Sequence, residues 1–273
     1  MIRSEPVATF AELPSPMPEF LTAIDWSQVW PFILIGFAAQ VVDGALGMAF
    51  GVINSTLLVT VMGVPPAVAS ASVHAVETFT TAASGVSHIV HRNVDWKLFR
   101  RLVIPGVIGA ILGATLLSNI DASVAKPFVM LYLACIGLYL LFRAVKGRIE
   151  PRTPKVIAPL GLVGGFLDAA GGGGWGPVVT SNLLIQGATP RHTIGTVNTA
   201  EFFLTATASV TFFIALGWSA FTLHTLGILI GGLVAAPLGG VLAKRVPTRG
   251  LMALVGVLLT LTSAWSVYAA FAH

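Results

Sequence analysis

Long apolar runs separated by short polar connections set the plan of this chain. Six runs are uninterrupted, at residues 67–90, 98–118, 126–145, 191–216, 221–242 and 250–270. An α-helix needs about 20 residues to cross about 30 Å of hydrocarbon, so each run predicts one spanning helix. Two further apolar stretches are broken. Residues 30–62 contain Asp43-Gly44-Ala45-Leu46-Gly47-Met48-Ala49-Phe50-Gly51, and residues 157–186 contain Asp168-Ala169-Ala170-Gly171-Gly172-Gly173-Gly174-Trp175-Gly176-Pro177. Each glycine weakens a helix by about 1 kcal/mol relative to alanine, whereas Pro177 suits the first turn of a new helix. Both stretches therefore predict half-helix, break, half-helix.

The broken stretches are related to each other. Asp43 falls on Asp168, Gly47 on Gly172, Phe50 on Trp175 and Gly51 on Gly176, all at a spacing of 125. Beyond one gap the register continues at 124: Gly63 on Gly187, Pro66 on Pro190, Val73 on Val197, His74 on Asn198 and Glu77 on Glu201. At 126, Gly106 and Gly113 fall on Gly232 and Gly239. Scattered glycine matches arise from composition; a register that holds Asp, Pro and Glu together does not. The expected organisation is an N-terminal tail (1–29), a first membrane repeat (30–146), a basic cytoplasmic linker (147–156) and a second membrane repeat (157–273).

Composition removes the soluble alternatives. The 273 residues are 55% hydrophobic and only 10% charged, against about 25% charged in a soluble domain, and the mean hydropathy is +0.88. The net charge of +4 does not indicate nucleic acid, because the basic residues sit in short loops between apolar runs. The acidic, proline-interrupted first 25 residues do not read as a signal peptide. With one cysteine, Cys135, no intramolecular disulfide can form, and no Cys/His spacing suggests a metal site. No cofactor is expected.

Charge in the loops sets orientation. Basic loops carry Arg92, Lys97, Arg100 and Arg101; then Arg143, Lys146, Arg148, Arg152 and Lys155; then Lys244, Arg245 and Arg249. All three should be cytoplasmic, and the uncharged loop at Gly217-Trp218-Ser219 external. If residues 157–186 crossed fully, Lys244 would lie outside. A re-entrant hairpin places it inside. Three crossings per half then invert the second repeat relative to the first, with both termini periplasmic. The expected fold is thus an all-α polytopic inner-membrane protein of two inverted repeats, each with one broken or re-entrant helix pair and three spanning helices. Eight full crossings are the competing count.

Ionisable groups at membrane depth cost about 2.5–3.5 kcal/mol or more each, which makes Asp43, His74, Glu77, Asp168 and Glu201 functional candidates. Half-helix N-termini offer free N–H groups and partial positive charge. Those starting near Val52 and Pro177 could hold an oxyanion where the spans have almost no basic side chain. Gly51 and Gly176 would let it approach the backbone, and Gly172, Gly173, Gly174 and Trp175 complete the break. Asn54, Ser55, Thr180, Ser181 and Asn182 add hydrogen-bonding groups. His74 and Glu77 share a helix face, as do Asn198 and Glu201. A carboxylate repels an anion unless it is protonated, so Glu77, Glu201 and His74 are candidates for proton coupling. The plainer readings are structural. Asp43 and Asp168 would cap broken helix ends, Glu77 and Glu201 would bond internally, and Gly106, Gly109, Gly113, Gly231, Gly232, Gly239 and Gly240 would allow close helix packing. His88, His91, His192 and His224 read as interfacial.

At these motifs the chain resembles the TauE/SafE family of membrane permeases, the sulfite exporters. The resemblance runs from about residue 30 to 270. It is carried by Asp43 to Gly51, by Gly63-Val64-Pro65-Pro66 through Glu77, by the glycine run before Trp175-Gly176-Pro177, and by Ile194 through Glu201. It implies transport of small sulfur-containing or organic anions such as sulfite. Gly44-Ala45-Leu46-Gly47-Met48-Ala49 departs from the more glycine-rich family form, which leaves the solute open. The expected partners are the anionic solute and the lipid bilayer, with a homodimer left open and no nucleic acid. The competing function is a cation or metal-ion permease using the four carboxylates. No paired nucleophile and base supports an enzyme.

Overall fold

A computed structural model describes residues 26–46, 48–145, 153–217, 223–242 and 248–271. Several expectations lie outside these residues: the tail to residue 25, Gly47, the basic positions Lys146, Arg148, Arg152, Lys244 and Arg245, and the loop at Trp218 and Ser219.

All regular structure among the described residues is helical. In chain order the helices are α1 (Trp26–Leu46), α2 (Phe50–Thr56, continued by a π turn, Leu57–Val61), α3 (Pro66–Val90), α4 (Trp96–Ser118) and α5 (Ala122–Val145), then α6 (Ala158–Gly171), α7 (Ser181–Ile185, preceded by a π turn, Gly176–Thr180), α8 (Pro190–Leu216), α9 (Leu223–Leu242) and α10 (Thr248–Phe271). The six unbroken runs are α3, α4, α5, α8, α9 and α10. Both broken stretches are broken where expected. Helix α1 starts at Trp26, ahead of the expected boundary at residue 30. Among the described residues, Trp96–Ser118, Ala122–Val145 and His192–Leu216 are both long and apolar enough to cross a membrane. Helix α3 dilutes its apolar character with Ser70, Ser72, His74, Glu77, Thr80 and Thr81, all buried.

The helix order repeats, and so does the packing. Helix α1 packs along α9 and α6 along α4; α3 meets α8 and α5 meets α10. Exchanging the halves turns the first pair into the second and maps the other two onto themselves. Individual contacts obey the same exchange. A Cβ on Gly161 would stand 2.8 Å from the Leu102 carbonyl oxygen, and one on Gly36 would overlap the carbonyl oxygen of Ile228; these four residues match at 125 and 126. The equivalent residues Thr81 and Thr205 meet each other, hydroxyl to hydroxyl, at 3.5 Å, as residues beside a two-fold axis do.

Glycine sets how closely these helices approach. Cβ atoms on Gly109 and Gly113 would overlap the carbonyl oxygens of Leu162 and Phe166 on α6, and one on Gly231 would overlap that of Ile33 on α1. Small residues that let backbones meet are the main device of helix association in lipid, where no hydrophobic drive exists. The outer faces are apolar instead: Ile104, Ile108 and Leu112 on α4, Phe128, Leu131 and Phe142 on α5, and Val210 and Ile214 on α8 are exposed. Aromatic residues stand exposed near helix ends, Trp26 and Trp30 on α1, Trp96 on α4, and Trp265 with Tyr268 on α10, as interfacial anchors do.

Residues 153–186 enter and leave at one place. The Gln186 side-chain oxygen accepts the backbone N–H groups of Lys155 (2.9 Å) and Val156 (3.0 Å), and its amide nitrogen donates to the Val156 carbonyl (3.1 Å). The two ends of the second broken segment are therefore tied together. Each segment then leads through a glycine at positive φ, Gly63 (+68°) and Gly187 (+93°), into a helix that opens with Pro66 or Pro190.

Candidate functional site

The two breaks meet. A Cβ on Gly51, in the first turn of α2, would stand 2.9 Å from the Cα of Gly173 and 3.0 Å from the Glu77 carboxylate. The backbone of Val52 lies against Gly173 as well. In the second half the chain turns through Gly172 (φ +72°), Gly173 (+134°) and Gly174 (+157°), and in the first half through Ala49 at +104°. Only glycine enters this region without strain. The first break therefore holds a strained residue at the place where the second has Gly174.

Hydroxyl groups close the carbonyls left free by the second break. Ser55 donates to the Gly172 carbonyl, Ser70 to that of Ala169 (2.8 Å) and Tyr132 to that of Gly173 (3.2 Å). All three hydroxyls come from the first half, so the second break is closed by groups of the other half. Carboxylates take the amides. Asp168 Oδ1 accepts the Trp175 N–H at 2.8 Å, and its equivalent Asp43 Oδ1 accepts that of Phe50 at 3.3 Å. The capping reading of both aspartates is thus what the geometry displays.

The halves are not identical. The second carboxylate oxygen of Asp168 lies 3.2 Å from His74 Nε2 across the junction of the halves. At the equivalent position Asn198 donates to Ser84 at 3.2 Å. Asp168 and Glu77 are 2% and 4% exposed, whereas Asp43 and Glu201 are half-buried. Asp43 and Asp168 each lie near enough to act electrostatically on Glu77 and on Glu201, and those two glutamates act on one another.

Among the described residues, four buried polar atoms of the candidate residues have no hydrogen-bond partner: Asn54 Oδ1, Glu77 Oε2, Thr180 Oγ1 and Asn198 Oδ1. The amide nitrogen of Asn54 is used internally, on the Phe50 carbonyl. Each such group is destabilising by about 1–3 kcal/mol, and all four belong to residues singled out from the sequence. Gly176 is buried in the π turn. Trp175 is fully buried, its indole donating to the Val197 carbonyl at 3.2 Å and its ring against Gly106 and Gly164, which places it in the packing of α4, α6 and α8.

Sequence reasoning missed Ser70, Ser84, Tyr132 and Gln40. Gln40 is buried with its side-chain oxygen unpartnered. It lies three residues before Asp43 in an apolar run, which is a readable signal. Ser70, Ser84 and Tyr132 give none, since such residues are common in spanning helices. A separate cavity of about 710 Å³ opens at the helix ends, lined by Lys97, Arg101, Thr153, Thr189 and His192 among others.

A bundle of apolar-faced helices enclosing two crossed breaks, with buried ionisable groups between them, is the build of a multi-pass membrane transporter. The chain belongs to the sulfite exporter TauE/SafE family, whose profile matches residues 32–265. It is 45% identical over 242 residues to the "Probable membrane transporter protein YtnM" of Bacillus subtilis (strain 168), covering 85% of this chain and 80% of the relative. No solved structure matches it. The family is one of transporters and not of enzymes.

Proposed function

We propose that this protein is a secondary transporter of the inner membrane for a small anion, a sulfur-containing or organic oxyanion such as sulfite, moved together with a proton. The observation that carries the reading is the crossing of the two breaks at Gly51 and Gly173 beside the Glu77 carboxylate, with unpartnered buried polar atoms on Glu77 and on Asn54 of the same half-helix as Gly51. Buried polar groups are normally hydrogen-bonded, so a polar solute fits there. The family's name, sulfite exporter, supports the class of solute. The cavity at the helix ends, lined by Lys97, Arg101 and His192 against the single acidic Asp95, is basic on balance and would attract anions to that surface.

Proton coupling follows from the same geometry. Asp43, Asp168 and Glu77 stand at the amide-rich starts of the second half-helices, where an anion would bind. An anion can take those amides only if a carboxylate moves away or is neutralised. Glu77, Glu201 and His74 are the groups able to receive a proton there.

The exchange symmetry of the packing supports two repeats. The Gln186 tie supports a re-entrant hairpin, hence six crossings with the second repeat inverted. Unequal exposure of equivalent residues, Asp43 against Asp168 and Glu201 against Glu77, supports a carrier in one of two exchangeable states.

A second reading has its own observation. Three of the four unpartnered atoms, Asn54 Oδ1, Glu77 Oε2 and Asn198 Oδ1, accept hydrogen bonds unless the carboxylate is protonated, which favours a cation or a solute with its own O–H. Flux of sulfite, thiosulfate and sulfoacetate into proteoliposomes, with and without a pH gradient, tests the first reading. Thr180→Val and Asn54→Ala should each lower it at least severalfold. No flux of any oxyanion, with a cation-dependent thermal shift lost in Asp43→Asn, would establish the second.

A further inference from the structure

We propose that the coupling proton is held between His74 and Asp168, and that the second half, with Asn198 in the equivalent place, holds none. The inference rests on the transport reading above and adds the location and number of the proton.

Hydrogen-bond bookkeeping fixes the tautomer. His74 Nδ1 lies 2.8 Å from the Ser70 carbonyl oxygen and 3.3 Å from the Ser70 hydroxyl oxygen. A carbonyl oxygen can only accept. The hydroxyl has one hydrogen and donates it to the Ala169 carbonyl at 2.8 Å, so toward His74 it too is an acceptor. Nδ1 therefore carries hydrogen, and Nε2 is left facing Asp168 Oδ2 at 3.2 Å. Without a further proton, that contact sets a nitrogen lone pair against a carboxylate, with His74 fully buried and Asp168 2% exposed. One added proton turns it into a hydrogen bond, either as imidazolium with carboxylate or as imidazole with carboxylic acid. In both forms the pair is neutral overall. Loss of H⁺ leaves neutral imidazole, Nδ1–H, beside a carboxylate.

The surroundings make this proton consequential. Facing the pair are Glu77 from the same helix, Glu201 from α8 and the Tyr132 phenol from α5, and the Phe212 ring lies 5.9 Å from the imidazole. One proton on the pair removes a net negative charge from beside these groups. The pair also joins α3 of the first half to α6 of the second, while Asp168 Oδ1 holds the start of the following segment at Trp175. A change in one proton thus acts on charge and on the contact between the halves. Asn198 cannot titrate, and its amide goes to Ser84 rather than to Asp43.

The test uses purified full-length protein in proteoliposomes with the membrane potential clamped. A gradient of about one pH unit should displace the oxyanion distribution about tenfold per coupled proton. His74→Asn, which makes the first half resemble the second, should lose both the displacement and the accompanying proton flux, whatever its effect on the rate of solute exchange. Retention of the wild-type proton-to-solute ratio in His74→Asn would overturn the proposal. A second arm needs no substrate: nitrogen NMR of histidine-labelled protein, with the His74 signal identified by its loss in His74→Asn. That signal should show Nδ1 protonated, with any second proton on Nε2. An unprotonated Nδ1 there would overturn the proposal. If wild-type protein exchanges no oxyanion at all, the transport reading fails, and the NMR arm still decides the proton site.

Discussion

Asp43 and Asp168 occupy equivalent places in the repeat, yet the fold leans on them unequally, and truncation should expose the difference. Asp168→Ala removes the acceptor of the Trp175 N–H and the partner of His74 at a place 2% exposed. Each buried polar group left without a partner costs about 1–3 kcal/mol, so two of them cost about 2–6 kcal/mol. Asp43→Ala removes a longer contact, 3.3 Å, to the Phe50 N–H. Asp43 is only half-buried and loses one long contact, so the loss should be about 0.5–1 kcal/mol. Thermal unfolding of purified variants in one detergent reads both. At about 2–4 °C per kcal/mol for a chain of this order of size, Asp168→Ala should melt on the order of 10 °C below wild type and Asp43→Ala within about 4 °C of it. Asp168→Asn is the control: its oxygen still accepts from Trp175 and its amide donates to His74 Nε2, so most of the loss should be recovered. Equal losses in the two alanine variants would refute the assignment of unequal roles.

Three other outcomes follow from the packing. Ala49→Gly releases a φ of +104° and should stabilise by about 1 kcal/mol, seen as a melting temperature raised by a few degrees. Gly113→Val drives side-chain atoms into the Phe166 carbonyl on α6 and should abolish folded protein on size exclusion, whereas Gly63→Ala, with nothing within 4 Å of the added carbon, should cost only about 1 kcal/mol for its positive φ. Cysteines placed singly at 155 and 187 on a Cys135→Ser background should label from the same side of the membrane, because Gln186 ties the two ends of the segment together; labelling from opposite sides would restore the full crossing.

The helices were legible because their signal is local. A spanning run needs only length and hydropathy, and the boundaries of α3, α4, α8 and α9 fall within two residues of those read from the pattern. The breaks were legible because four glycines and a proline cannot continue a helix. The meeting of the breaks was an expectation read from the sequence register that relates the two stretches, and the close approach of Gly51 to Gly173 agrees with it. What the sequence could not yield is conformation that depends on the other half. The π turns lie at Leu57–Val61 in the first half and Gly176–Thr180 in the second, positions that are not equivalent, and no residue type marks them.

The same argument explains which side of each equivalent pair would do the work. Among the matched candidate groups, Asp43 with Asp168, Glu77 with Glu201 and His74 with Asn198, only the last pair differs in residue type, and from sequence hydrogen bonding and protonation were equally open to His74. Its meaning depends on a partner 94 residues away, Asp168, and on a serine, Ser70, whose hydroxyl is already committed to Ala169. Fix those two contacts and the imidazole has one tautomer and one place for a proton; leave them out and it is only a polar residue in an apolar helix. In a protein built from two similar halves, a substitution between equivalents is where symmetric folding and asymmetric chemistry separate. The place to look for coupling is therefore the pair whose members differ in sequence and also differ in contact.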